Sequence, residues 1–79
     1  MTSRVKVYSR QGCHLCEDAI AIVTDVCVAV GVPFTVVDVD TDPTLKAQFQ
    51  DEVPVVQVDG ETVGFWRIRP EALRAALGV

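Results

Sequence analysis

Apolar residues follow two different periods along this chain. Val5, Val7 and Tyr8 make a short β-branched stretch, and the pattern predicts a strand over residues 4–8. The polar loop Ser9-Arg10-Gln11-Gly12 follows, and the period then lengthens. Cys16, Ala19, Ile20, Val23, Val26, Cys27 and Val30 recur at three- and four-residue steps, which defines one face of a helix beginning at the Cys13-His14-Leu15-Cys16 stretch. Glu17, Asp18, Thr24 and Asp25 take the other side. Glu17 and Asp18 in the first turn complement the positive end of the helix. Gly31 is the expected stop, and Pro33 agrees with it. Residues 34–39 are almost continuously apolar, which predicts a second strand covered on both faces.

After that strand the spacing shortens again. Asp42 is a good N-cap and Pro43 suits a first helical position, so a short helix is expected there. Leu45, Phe49 and Ala47 are assigned inward, and Asp51-Glu52 is assigned as its end. Residues 55–58 read as a third strand. Asp59-Gly60 is a strong hairpin signal, and residues 62–65 read as a fourth strand antiparallel to the third. Residues 69–77 close as a helix with Leu73, Ala76 and Leu77 inside, ended by Gly78. The predicted order is β-α-β-α-β-β-α. Strands separated by helices are expected to pair in parallel, and the hairpin adds an antiparallel edge. The expected fold class is α/β: a four-stranded mixed sheet with helices on both faces, one domain over residues 1–79.

Composition narrows the function. The net charge is −4, with 7 basic and 11 acidic residues and no basic stripe, so nucleic acid is not an expected partner. No apolar run reaches membrane-spanning length. The first residues lack a signal-peptide core, so the expected location is cytoplasmic and the expected surroundings are reducing. Three cysteines in that setting are not a disulfide framework.

The pattern instead puts two thiols at a helix start, Cys13 at the exposed tip and Cys16 one turn in. Thiol–disulfide exchange needs an attacking thiolate and a second thiol to resolve the mixed disulfide. Helix N-termini lower a thiol pKa by their unpaired N–H groups and partial positive charge. Arg10 lies three residues before Cys13 and adds a cation. His14 either tunes the thiolate or merely faces solvent. Cys13 is therefore expected as nucleophile and Cys16 as resolving thiol, with the two sulfurs able to meet within one helical turn. Cys27, on the buried face, is read as a small core residue. Trp66 is assigned to core packing in preference to a substrate platform. Val53-Pro54 precedes an apolar strand, where proline belongs; the sequence leaves its cis or trans state open. Asp38, Asp40 and Asp42 have the opening spacing of a calcium loop without its glycine or final glutamate, and read as strand-end solvation and a cap. No metal site is expected within one chain, because structural zinc wants four ligands and only one spaced cysteine pair is present. The alternative function is a redox-inert adaptor or a metal or iron–sulfur module, which would need a second chain.

Three stretches together carry a resemblance. Residues 8–17 hold the Cys-x-x-Cys, residues 37–43 hold Val-Asp-Val-Asp-Thr-Asp-Pro, and Val53-Pro54-Val55-Val56 leads to Asp59-Gly60. Almost the whole chain resembles the glutaredoxin branch of the thioredoxin superfamily, in particular short bacterial glutaredoxin-like proteins of unassigned substrate. The resemblance implies a dithiol oxidoreductase with Cys13 and Cys16 catalytic, Pro54 as the family's cis-proline, and Val53 offering backbone groups to an extended substrate. It also implies that Arg10 replaces a glutathione-binding lysine. Two departures weaken a glutathione site: His14-Leu15 stands where Pro-Tyr is usual, and Gly64-Phe65-Trp66-Arg67 replaces a Gly-Gly followed by acidic residues. An arginine cannot accept hydrogen bonds from an ammonium group. The expectation is thus no bound cofactor, a protein or low-molecular-weight disulfide as substrate, another thiol or a reductase as electron donor, and a monomer.

Overall fold

The computed structural model describes residues 3–49 and 52–78. In chain order the elements are β1 (Val5–Ser9), α1 (His14–Val30), β2 (Phe34–Asp38), a 3-10 turn (Val39–Thr41), α2 (Pro43–Gln48), β3 (Val55–Val58), β4 (Glu61–Phe65) and α3 (Pro70–Leu77). The expected α/β class and element order hold. Asp51, assigned to the end of α2, lies outside the described residues, as do Met1 and Thr2.

The sheet order is β2-β1-β3-β4. β1 pairs with β2 in parallel, Val5 beside Phe34 through Ser9 beside Asp38. β3, however, runs antiparallel to β1, with Val5 beside Val58 and Tyr8 beside Val55. The expectation of a parallel third strand is therefore corrected. A parallel crossover must carry the chain back along the whole strand. The six-residue α2 is only about 9 Å long at ~1.5 Å per residue. The chain instead stays at the carboxyl end of β1 and enters β3 from there.

A second correction concerns β2. It is an edge strand, with Thr35 and Val36 exposed, and not a strand covered on both faces. β1 is the covered strand, and its Val5 and Val7 are fully buried.

Alternation along the strands splits the core. Val5, Val7, Val56 and Val58 join Ala19, Val23, Val26 and Cys27 of α1 and Leu73 and Leu77 of α3 on one face. Tyr8 and Val55 join Val39 and Phe49 on the other, with Leu45 packed against them. The Tyr8 and Phe49 rings lie 4.6 Å apart. Ala47, assigned inward, is exposed because α2 makes less than two turns and shows the sheet only its Leu45 side.

The hairpin follows its sequence signal. Asp59 and Gly60 both have positive φ, 53° and 86°, which is the backbone of a two-residue hairpin turn and favours Asp-Gly. Val63 is the extra residue of a bulge, since Val56 pairs with Gly64 but Gln57 pairs with Thr62. Arg4 clamps this end, its Nε and Nη2 donating to the two carboxylate oxygens of Asp59 at 3.1 and 3.0 Å.

Candidate dithiol site

β1 ends at Ser9 and α1 begins at His14, so the loop between them projects from the carboxyl end of a parallel strand pair, where α/β sheets place function. Cys13 is the N-cap of α1. Its backbone is extended (φ −99°, ψ 109°), its carbonyl accepts from the Glu17 N–H at 3.2 Å, and its Sγ accepts from the Cys16 N–H at 3.1 Å. A helix N-terminus leaves such N–H groups without intrahelical partners; here one of them is aimed at sulfur. The Cα atoms of Cys13 and Cys16 are 5.2 Å apart and their sulfurs are joined as a disulfide. Cys13 is half-buried and Cys16 is 2% exposed, so access to the pair is through Cys13.

Pro54 reaches the same end of the sheet because β3 is antiparallel. Tyr8 lies beside Val55, which puts Pro54 level with Ser9 at the foot of the cysteine loop. A parallel β3 would carry it to the far end, about 13 Å away over four residues at ~3.3 Å each. The Val53–Pro54 peptide is cis. Val53 is half-buried, and Pro54 accepts a 2.9 Å hydrogen bond from the Trp66 N–H.

The remaining expected residues separate. Arg10 lines a pocket of about 320 Å³ with Cys13, Cys16, Gly12, Glu17 and Asp38. Its guanidinium is engaged with Asp40, Nη2 to Oδ1 at 3.1 Å, and that hydrogen bond holds the Asp40 carboxyl below the usual carboxylate range. His14 is in solvent, 97% exposed at the side chain, with Nδ1 3.8 Å from Glu17 Oε2. Cys27 is buried, as expected, and burial pushes its thiol pKa up. No three His, Cys, Asp or Glu side chains among the described residues gather as a metal-ligand set.

Trp66 overturns its assignment to the core. It is 51% exposed, and Phe65 beside it is 49% exposed, their rings edge to face at 5.3 Å. Trp66 has φ 62°. A bulky residue in that left-handed region costs about 1–2 kcal/mol. The Arg67 N–H donates to the Phe65 carbonyl at 2.8 Å, which tightens the turn and leaves both rings outside. With Leu15, Val53 and Arg67 they line an open, mostly apolar groove of about 450 Å³ on the β4 side of the dithiol. Leu15 ties that groove to the site, since it stands between the two cysteines and is 39% exposed. Trp66 follows the last residue of β4, so strand alternation in the sequence gives no direction for its ring.

A helix that starts at a dithiol, on a four-stranded sheet of this order, defines a thioredoxin-like fold. The chain belongs to the glutaredoxin-like family: the description "Glutaredoxin-like domain (DUF836)" matches residues 4–78. It is similar to an uncharacterized protein of Mycobacterium tuberculosis, with 30% identity over 77 residues covering 91% of this chain and 79% of the relative. It is also similar to the X-ray structure of a structural-genomics target from X. campestris, with TM-score 0.76 and 28% identity over 94% of this chain and 95% of that one. A glutaredoxin from Archaeoglobus fulgidus shares the fold, with TM-score 0.66 and 20% identity over 95% and 86% of the two chains.

Proposed function

We propose that this protein is a dithiol–disulfide oxidoreductase in which Cys13 attacks and Cys16 resolves. The observation that carries the reading is the Cys13 sulfur at the N-cap of α1, accepting the Cys16 N–H with the Cys16 sulfur opposite it. A hydrogen bond to the charged form and the positive helix end both favour the thiolate.

In the first step the Cys13 thiolate bonds to one sulfur of a substrate disulfide. The substrate S–S bond breaks, and the other sulfur leaves as a thiolate that takes a proton from water. Cys16 then gives up its proton to water and attacks the Cys13 sulfur. The Cys13–Cys16 bond forms and the second substrate thiolate departs. Two electrons have passed to the substrate, and an external dithiol or a reductase returns them. The near-complete burial of Cys16 suits the second role, because it is reached only from Cys13. Val53 presents backbone groups to an extended substrate beside Pro54, in the manner of a sheet edge.

Glutathione is a poor partner in this reading. Arg10 is engaged by Asp40, and Arg67 stands where an acceptor for glutathione's ammonium would be needed. A glutathione-coupled assay is expected to give little turnover; efficient turnover overturns this point alone. The central test is alkylation of the reduced protein across a pH range with mass spectrometric readout. Cys13 is expected to react at neutral pH well ahead of an ordinary exposed thiol. Reaction no faster than that thiol defeats the enzyme reading. Cys16→Ser is expected to stall the mixed disulfide on Cys13 and so retain the substrate.

A further inference from the structure

The exchange chemistry uses two sulfurs and a strand end, and it leaves the groove on the β4 side without a role. Its walls are Leu15, Val53, Phe65, Trp66 and Arg67. Three independent features bear on what fills it. Large apolar side chains are exposed together there, and aromatic residues with arginine are the residue types that dominate protein–protein recognition. The turn carrying the rings is held in an unfavourable left-handed backbone and is hydrogen-bonded to Pro54, so its outward aim is built into the fold. The charge at the wall is positive and open. Arg4 and Arg10 hold Asp59 and Asp40, whereas the Arg67 guanidinium has no ion pair among the described residues. Asp18 lines, with Leu15, Trp66 and Arg67, a smaller adjoining cavity of about 220 Å³.

We infer that this groove docks an extended, cysteine-bearing segment of a partner protein, with a large apolar residue next to the cysteine and a carboxylate within reach of Arg67. The inference rests on the dithiol reading and names its substrate class. A peptide segment fits better than a small thiol on chemical grounds. Glutathione has no large apolar side chain to cover Leu15, Phe65 and Trp66. An extended segment lying along Val53 brings its cysteine to Cys13 while its neighbours reach the groove. Arg67 selects among such segments by the sign of their flanking charge.

The test uses the reduced full-length chain and three decapeptide probes, each with one cysteine in disulfide linkage to thionitrobenzoate. The cysteine is flanked by Phe and Glu, by Phe and Lys, or by Gly and Ser only. One equivalent of probe accepts two electrons from the Cys13–Cys16 dithiol and yields free peptide thiol and thionitrobenzoate, whose absorbance gives the rate. The Phe/Glu probe is expected to react about tenfold faster than the Gly/Ser probe, a difference of ~1.4 kcal/mol. Arg67→Glu is expected to reverse the order of the Phe/Glu and Phe/Lys probes. Trp66→Ala is expected to bring the Phe/Glu to Gly/Ser ratio toward one. Ratios within one variant cancel any loss of folded protein. Equal wild-type rates on all three probes overturn the groove inference while leaving the dithiol reading in place. No thionitrobenzoate release from any probe defeats the dithiol reading, and the inference falls with it.

Discussion

Three cysteines share one stretch of chain and have three different surroundings. Cys13 caps the helix and is half-buried, Cys16 is one turn in and nearly closed off, and Cys27 is three turns further and sealed in the core. Native-state alkylation at neutral pH should therefore leave Cys27 unlabelled until the protein unfolds; labelling of Cys27 in the folded state would mean that the α1 face opens. Its titration has a definite sign. Burial raises the folded-state pKa above the unfolded value of about 8.5. That contribution to stability is complete below the unfolded pKa and is lost as pH rises through the folded one. Cys27→Ala is expected to flatten the alkaline limb of a urea-midpoint profile, and an unchanged limb would count against this account. Trp66 makes a second residue-scale case. Asn tolerates the left-handed region far better than Trp. Trp66→Asn is expected to be neutral or to stabilise by up to about 1 kcal/mol. A loss of more than that in chemical denaturation would mean that the ring holds the fold and not a docking surface.

At the scale of elements, the site depends on two short segments meeting at one end of β1. α1 starts there because Cys13 caps it and stops where Gly31, at φ 72°, accepts the left-handed turn and donates back to the Cys27 and Val28 carbonyls. β3 starts there because α2 is too short to return the chain. α3, eight residues long, covers β3 and β4 through Leu73 and Leu77. Leu73 is fully buried, and Leu73→Ala is expected to cost roughly 2–5 kcal/mol, a large share of the stability of so small a protein. A cost under about 1 kcal/mol by urea unfolding would show that α3 is not a structural cover for the sheet.

Across the whole molecule, charge is arranged at the two ends of the sheet. Arg4 with Asp59 fixes the hairpin end, and Arg10 with Asp40 fixes the dithiol end. In each pair the arginine's hydrogen bond holds the aspartate pKa below its ordinary value. A depressed carboxylate pKa contributes stability above the unfolded value, about 3.9, that disappears as pH falls through the folded one. The pairs are solvent-exposed, so their effect at neutral pH is small. The double variant Asp40→Asn/Asp59→Asn is expected to change the neutral urea midpoint little and to shallow its fall below about pH 4. A profile parallel to wild type in acid would show that neither pair is linked to folding.

Much of this arrangement was readable from local pattern. Helical spacing and caps are properties of neighbouring residues, so α1, its buried face, the Asp42 cap and the Asp59-Gly60 turn follow from the order of side chains alone. So does the placement of Cys13 and Cys16 at a helix start, because both belong to one turn. Strand pairing is a relation between distant segments. Whether β3 ran parallel or antiparallel, and whether β2 lay inside or at the edge, depended on the space left by α2 and on which side of β1 remained free. Those two outcomes decided that Pro54 stands at the foot of the cysteine loop and that Thr35 and Val36 face water. The fate of Phe65 and Trp66 was decided the same way, by a turn hydrogen-bonded to Pro54 from β4. Sequence alone determined the dithiol; tertiary structure determined what surrounds it, because only packing brings residues 15, 53 and 65–67 to one wall.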